Sequence, residues 1–546
     1  MAGGVVLTGT TDVGRVEAPV TWKAYMICAF AAFGGIFFGY DTGWMSGVMA
    51  MPYFITLYTG MEYDYVNKMP IGVTKDEFHL TSSMQSLFTS ILSLGTFFGA
   101  LMGGDIADFI GRRPTIIMGC AVFCVGCTLQ IASTNQEGLF VLGRLVAGAG
   151  VGFISAVVIL YMSEIAPKKV RGAMVSGYQF CITIGILVAS CVVYGTQDYS
   201  NTSSYRIPIG IQYLWAIVLA AGLFYLPESP RYFVRKGEIE KAAKALAFVR
   251  GQPIDSAYVK DELAEIVANN EHEMLVIPQT NYIGSWLACF KGSLSAGNSP
   301  LRRTLLGTGM QMCQQLTGIN FVFYFGTPFF TQLGTIDNPF LISMITTLVN
   351  VLSTPISFYA IEKFGRRALL IYGACSMIVC QFIVAIIGVT AGKDTSNKAA
   401  TSAMIAFICL NISSFAITWG PTAWVIVGEA FPLPIRSRGV GLSTASNWLW
   451  NTVIAVITPY LVGKDKADLG PRVFFLWGAL CCGSLLFAYF LVPELSGLSL
   501  EQTDMCMAEV SPRKSAAWKP SHTFAAEMGT VDEKPGANTT VREETV

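Results

Sequence analysis

Charge is scarce in this chain and histidine is nearly missing. Of 546 residues only 13% are Asp, Glu, Lys or Arg, and 36 basic residues cancel 36 acidic ones. A soluble globular protein carries roughly 25% charged residues, so this composition cannot build the usual hydrated surface. Without a basic excess the chain is not a nucleic-acid binder. Its hydrophobic share of 53% excludes a disordered chain. Three scattered histidines, His79, His272 and His522, leave a metal centre almost nothing to bind with. Most of the fourteen cysteines, Cys120, Cys124 and Cys127 among them, lie inside apolar runs and read as small buried hydrophobes. No nucleophile–base pair or phosphate-cradling loop stands out, so neither an enzyme nor a cofactor is expected.

What is present in quantity is apolar sequence, with a mean hydropathy of +0.52. A spanning helix needs about 20 largely apolar residues. Such segments lie near 24–50, 83–104, 115–133, 138–162, 174–195 and 208–226, and then near 303–330, 338–361, 368–391, 402–428, 440–462 and 473–492. The expectation is an all-α membrane protein of twelve transmembrane helices. Residues 1–22 form an N-terminal segment without the marks of a signal peptide. Residues 23–226 and 303–492 form two six-helix bundles. Residues 227–302, with charges of both signs at helical spacing, form a linker of short helices, and 493–546 read as a disordered tail.

Basic residues set the orientation. Arg112–Arg113, Lys168–Lys169–Arg171, Lys363–Arg366–Arg367 and Arg436–Arg438 all fall in loops on one side. The last loop of the opposite side, with Lys464, Lys466 and Arg472, weakens the bias without reversing it. Both termini, the linker and the tail are therefore expected in the cytosol. The Asn201-Thr202-Ser203 sequon falls outside and is a glycosylation acceptor by this topology, whereas Asn538-Thr539-Thr540 falls inside.

An internal repeat gives the architecture. Gly111-Arg112-Arg113 recurs as Gly365-Arg366-Arg367, 254 residues on. Glu164 with Arg171 recurs as Glu429 with Arg436, displaced by 265, and Pro227-Glu228 recurs as Pro493-Glu494, displaced by 266. Two pseudosymmetric halves around a central site are the plan of a secondary transporter.

Two charges interrupt the apolar spans. Asp41 sits in the first and Arg144 near the start of the fourth. Each alone costs about 2.5–3.5 kcal/mol at a helix centre, so each should face the protein interior or water. At about 1.5 Å per residue they lie about 14 and 9 Å from the outer face, depths that permit pairing. A carboxylate that gains and loses an arginine changes its proton affinity, which is what proton coupling requires. A permanent pair pinning two helices is the other reading. Uncharged amides supply candidate sugar ligands: Gln179 in span 5, Gln314, Gln315 and Asn320 in span 7, Asn350 in span 8 and Asn447 in span 11. An amide both donates and accepts, which suits vicinal hydroxyls, while Tyr324, Trp424 and Trp448 can stack on a sugar ring. Polar glue between helices is the alternative for any single amide. At the basic-loop level, Asp108, Arg112, Arg113, Glu164, Arg171 and their repeats Glu362, Arg366, Arg367, Glu429 and Arg436 can form gating ion pairs. Glu164–Arg171 and Glu429–Arg436 are the pairings that the spacing offers. Glycines 143, 148, 150 and 152 lack the strand and acid of a dinucleotide fingerprint and read as helix packing.

Over residues 25–505 these motifs resemble the sugar porter family of the major facilitator superfamily, particularly its fungal hexose transporters. The resemblance rests on the Gly-Arg-Arg loops, Pro227-Glu228-Ser229-Pro230-Arg231, Gln314-Gln315-Leu316-Thr317-Gly318-Ile319-Asn320 and Pro493-Glu494-Leu495-Ser496-Gly497-Leu498-Ser499. It implies the major facilitator fold, alternating access and a monosaccharide held midway in the plasma membrane. It assigns sugar contacts to Gln179, Gln314, Gln315, Asn320, Asn350, Asn447 and Trp424, with Ile182 and Ile186 lining the same pocket. In proton-coupled members the acid matching Asp41 is the proton acceptor and the arginine matching Arg144 its partner; some facilitators keep that acid too, so the resemblance permits both a proton symporter and a facilitative uniporter. This chain departs from the family pattern at Phe109, where a basic residue is usual, and at Glu362, where aspartate is common. Some fungal homologues are nutrient sensors, expected to carry a much longer tail than the 54 residues from Pro493 to Val546.

Overall fold

The computed structural model describes residues 19–521 apart from 75–76, 277–281, 295, 297–298, 333–337, 392–396 and 464. Lys464, His522 and the Asn538 sequon lie outside the described residues.

Among the described residues nine helices are long and apolar enough to cross a membrane, and ten if the bent pair Pro339–Ser353 and Ile356–Phe364 counts as one span. Pro300–Leu316 with Ile319–Gln332, and Arg436–Val462, are helical where spans were expected but fall short of that apolar standard. Their sequences carry the reason. Gln311, Gln314, Gln315 and Asn320 sit on the first pair, and Asn447 and Asn451 on the second. Helices that turn amides toward the protein interior lose hydropathy without losing helical structure. The first of them also breaks, at Gly318, whose φ of +75° an L side chain rarely adopts.

Close packing within the first half starts from glycine. Gly35, Gly39, Gly43 and Gly47 recur every four residues and so share one face of the helix Gly35–Val48. That face meets the helix Arg171–Thr196 backbone to backbone. A Cβ on Gly39 would lie 1.9 Å from the Ile182 carbonyl oxygen, and one on Gly35 2.4 Å from that of Tyr178. Gly148 and Gly152 do the same for Glu137–Ile165, where a Cβ would come within 2.2 Å of Leu92 O and 2.5 Å of Thr96 O. The glycines of the fourth span are thus helix-packing residues, as their context indicated.

Three segments differ from the sequence expectation. The loop after the first span folds into a two-stranded antiparallel hairpin, Glu62–Asp64 with Met69–Ile71, so the chain is not wholly helical. Asp64 closes it by accepting from the Val66 and Asn67 amides. The linker holds the helices Pro230–Arg235, Ile239–Arg250, Ala257–Val276 and Tyr282–Ala288. The first three share a small core built on Val234, Leu246 and Leu263. The segment read as a disordered tail begins with an ordered helix, Leu500–Glu509, followed by a short 3-10 turn, Pro512–Ala517. Ser499 and Gln502 cap that helix reciprocally. Glu501 pairs with Arg231 of the linker, and Asp504 with Arg303 of the second half. Charge and proline content suggested disorder here because both acids are satisfied by distant arginines.

Candidate functional site

Asp41 and Arg144 meet in the middle of the first half, both essentially unexposed. Arg144 Nη1 donates to both carboxylate oxygens, at 3.0 and 2.9 Å, and Nε donates to the Phe88 carbonyl at 3.1 Å. The Trp44 indole N–H also donates to Asp41, at 3.0 Å, and the guanidinium lies 5.3 Å from the Trp44 ring centroid. Trp44 carried no signal in the sequence beyond standing one turn after Asp41. Among the described residues Arg144 Nη2 has no hydrogen-bond partner. The carboxylate is therefore multiply held while the arginine keeps unused donor capacity.

The amides of the second half form one connected set. Gln315 donates to Asn447 at 3.0 Å, and Asn447 donates to Gln311 at 2.6 Å and Gln314 at 2.8 Å. Gln315 Oε1 accepts from Asn320 and, at 3.3 Å, from Asn451. Gln314 donates to the Gly420 carbonyl at 2.8 Å. Gln311 and Asn451 were not singled out in the sequence, although both lie one helical turn from an amide that was. The set reaches the first half through Ser93, whose hydroxyl donates to Asn451 Oδ1 at 2.7 Å. Two more bridges cross between halves. Trp424 Nε1 donates to Gln179 at 3.2 Å, and Trp448 Nε1 donates to Ser155 at 3.3 Å while its ring packs 4.5 Å from that of Phe38.

Asn350 stands apart from this set. It is buried, yet among the described residues neither its amide nitrogen nor its oxygen has a hydrogen-bond partner. Burying such groups unpaired costs about 1–3 kcal/mol each. Ile182 and Ile186 are buried on the helix Arg171–Thr196. Ile186 also lines a narrow cleft of about 20 Å³ with Gly43, Ser46, Thr346 and Thr347. That cleft lies between helices of the two halves.

At the basic-loop face the repeat is reproduced atom for atom. Arg112 grips Glu164 with two hydrogen bonds of 3.1 and 2.9 Å, and Arg366 grips Glu429 with two of 3.3 and 3.0 Å. Glu228 accepts from the Arg113 amide at 3.0 Å, and Glu494 from the Arg366 and Arg367 amides at 2.9 and 3.0 Å. Arg113 donates to Phe224 O and Arg367 to Tyr489 O. The glycine of each Gly-Arg-Arg loop has positive φ, +105° and +82°, and a Cβ there would press to 2.5 and 2.4 Å against the waiting glutamate. The motif is a built carboxylate cradle.

These pairs overturn the expected Glu164–Arg171 and Glu429–Arg436 pairings. Each glutamate is taken by the Gly-Arg-Arg arginine of its own half. Arg171 instead donates to Leu498 O at 3.3 Å and Arg436 to Phe431 O at 2.8 Å. Glu164 ends one helix and Arg171 begins the next, so the turn around Pro167 sets their side chains apart. The halves are tied reciprocally across this face. Asp108 accepts from Ser437, and Glu362 accepts from the Ala173 amide at 3.0 Å. Both acceptors sit at the N-terminal turn of a helix in the opposite half, where the dipole favours an anion. Arg438 adds Asp105, at 3.0 Å. Glu362 thus makes the contact that its extra methylene permits. Phe109 is 79% exposed, and its carbonyl accepts from the Tyr232 hydroxyl.

The model of the family described as sugar (and other) transporter matches residues 27–506. The major facilitator-type transporter ecdD of Aspergillus rugulosus is 44% identical over 509 residues, 91% of this chain and 90% of its own. The probable glucose transporter rco-3 of Neurospora crassa is 39% identical over 92% of this chain and 82% of its own. The high glucose sensor RGT2 of Saccharomyces cerevisiae is 43% identical over 88% of this chain, which spans 60% of the sensor. In fold, the chain superposes on the proton:xylose symporter XylE of E. coli with a TM-score of 0.74 at 23% identity, covering 88% of this chain and 98% of XylE. A multi-pass membrane architecture, a repeated carboxylate cradle and a family match over most of the length lead to one conclusion: this chain belongs to the sugar transporter family of the major facilitator superfamily.

Proposed function

We propose that the protein carries a hexose, glucose first, across the plasma membrane by alternating access in symport with a proton. Twelve spans with both termini cytosolic complete this reading, Pro300–Gln332 and Arg436–Val462 serving as amide-lined spans of the second half. The observation that carries it is Asn350: a buried amide with both atoms unpartnered among the described residues, in a half whose other candidate amides are already joined to one another. Hydroxyls of a sugar are the uncharged groups that complete it, and none of the proposed pocket residues is basic enough to favour a sugar acid. Gln179, Gln314, Gln315, Asn320 and Asn447 exchange part of their mutual bonding for the sugar, with Trp424 and Tyr324 against its ring.

Coupling follows from the Asp41–Arg144 pair. Protonating Asp41 removes the charge that Arg144 grips, and the guanidinium keeps only the Phe88 carbonyl and the Trp44 ring. The first helix is then free to shift against the fourth, which favours the outward-open, sugar-accepting state. At the cytosolic face the Arg112–Glu164 and Arg366–Glu429 pairs and the Asp108 and Glu362 bridges act as the gate that must open on the way in.

Radiolabelled glucose uptake in a yeast lacking its own hexose carriers tests this, at pH 5 and pH 7.5 with and without an uncoupler. Symport predicts accumulation above the outside concentration that collapses with uncoupler. The Asp41→Asn variant then loses accumulation and keeps sugar exchange. Saturable uptake that only equilibrates makes the protein a facilitator and Asp41–Arg144 a structural pair. The 43% identity to a glucose sensor supports a second reading, in which the pocket binds sugar and signals; surface-localised protein without flux of any hexose would establish it.

A further inference from the structure

A second cavity lies away from the sugar pathway, on the outside of the second half. It offers about 550 Å³ between the helices Pro300–Leu316, Arg436–Val462 and Val473–Leu491 and the tail helix. Its walls are largely apolar, with Leu305, Met312, Phe487 and Met507 among the lining residues. Arg302, Leu305, Gly309 and Met312 follow at helical spacing and run along one face of Pro300–Leu316. From Arg302 to Met312 that face extends about 15 Å at 1.5 Å per residue. One leaflet of a bilayer has about the same hydrocarbon depth, half of roughly 30 Å.

The mouth of the groove is basic. Arg302 forms no ion pair or hydrogen bond among the described residues, whereas the adjacent Arg303 is committed to Asp504. Arg513 follows Pro512 of the groove wall and is stacked 4.5 Å from the Phe490 ring and 5.0 Å from that of Tyr489. Glu509, at the end of the tail helix, accepts from the Trp518 indole N–H at 2.6 Å. Both arginines sit at the level of the Gly-Arg-Arg loops, the side whose leaflet carries anionic lipid under the basic-loop rule.

We propose that this groove binds an anionic phospholipid of the cytosolic leaflet. Its acyl chain lies along Leu305, Gly309 and Met312, and its headgroup phosphate sits between Arg302 and Arg513. Gly309 makes the floor: a Cβ there would already reach 2.6 Å from the Phe487 ring, so any larger residue narrows the channel. Because Met507 of the tail helix forms one wall, the lipid bridges the tail to the second half and helps hold it against the bundle. A free phosphate would use the arginines alone and leave the apolar walls empty, which is why the lipid is the favoured occupant.

Native mass spectrometry of the full chain in detergent, with dioleoyl phosphatidylserine or dioleoyl phosphatidylcholine added, decides the matter. Wild type should retain one phosphatidylserine in preference to phosphatidylcholine. The double variant Arg302→Gln, Arg513→Gln should lose that preference, by about fivefold or more per charge removed. Arg302→Lys, which keeps the charge, should retain it. Leu305→Trp, which fills the wall, should weaken both lipids; should this variant fail to fold, the arginine pair still decides. Equal retention of the two lipids by wild type, or a preference that survives in the double variant, overturns the proposal. Displacement of the lipid by millimolar inorganic phosphate overturns it too, since the site would then be a headgroup site without a groove.

Discussion

Asn350 and Gln315 are chemically alike and differ in what surrounds them. Gln315 is held by three other amides, whereas neither amide atom of Asn350 has a partner. Truncating Gln315 leaves buried donors on Asn320 and Asn451 and the Oδ1 acceptor of Asn447 unmet, so Gln315→Ala should cost about 1–3 kcal/mol of stability. Asn350→Ala breaks no hydrogen bond within the protein and should cost under about 1 kcal/mol. It removes a proposed ligand of the sugar, however, and about 1–3 kcal/mol of binding corresponds to roughly a 5- to 150-fold weaker Kd. Thermal unfolding and glucose binding measured on the two variants separate the roles. Equal destabilisation, or unchanged sugar affinity in Asn350→Ala, would make Asn350 one more piece of interhelical glue. Asp41 and Arg144 were readable from sequence because an ionised group in an apolar run has few reasons to exist. The partner of Glu164 was not, because Arg112 lies 52 residues away and only the fold brings them together. A usable signal was present: Arg112 and Glu164 both recur in the second half, and so their contact recurs with them.

Helices are positioned in this bundle by where glycine is, and the positions are not equivalent. On the helix Gly35–Val48 a methyl at residue 39 meets backbone at 1.9 Å, which no side-chain rotation relieves. Gly39→Ala should therefore push the first helix off Arg171–Thr196 at a cost above the roughly 1–3 kcal/mol of ordinary overpacking. It should displace Asp41 from Arg144 with it. Gly210, within the helix Ser203–Leu223, has nothing within 4 Å of its would-be Cβ. There Ala is the better helix former by about 0.8–1 kcal/mol, and Gly210→Ala should be neutral or stabilising. Surface expression and melting temperature of the pair check this contrast, and a well-folded, active Gly39→Ala protein contradicts it. Spacing revealed the glycines, but which stripe faces which neighbour depends on packing that no single helix encodes. The tail helix was missed for a related reason. Its capping box at Ser499 and Gln502 was legible, yet the acids that suggested solvent exposure are buried against arginines 201 and 270 residues away.

At the scale of the molecule, the tail joins linker and second half through Glu501–Arg231 and Asp504–Arg303. Burial pushes the Glu501 carboxyl up, but the charge and hydrogen bond of Arg231 outweigh it and hold the carboxyl down at about 2, from 4.5. A depressed acid contributes stability above its unfolded value and loses it as the pH falls through the folded one. Tail docking should accordingly be the same at pH 7.5 and pH 5 and weaken only from about pH 4.5 down toward 2. This separates the clasp from proton coupling, because any difference in glucose uptake between pH 7.5 and pH 5 then arises elsewhere, with Asp41 the proposed seat. Hydrogen exchange across Leu500–Glu509 in the purified chain reads the clasp directly. Glu501→Gln should raise exchange at every pH and flatten its acid dependence, since an uncharged partner leaves Arg231 buried and unpaired at about 3 kcal/mol or more. It should leave the direction of the uptake pH profile as in wild type. Loosening of the tail already between pH 7.5 and pH 5 would move the proposed pH sensor from Asp41 to the tail clasp. A Glu501→Gln protein whose uptake no longer responds to pH would do the same.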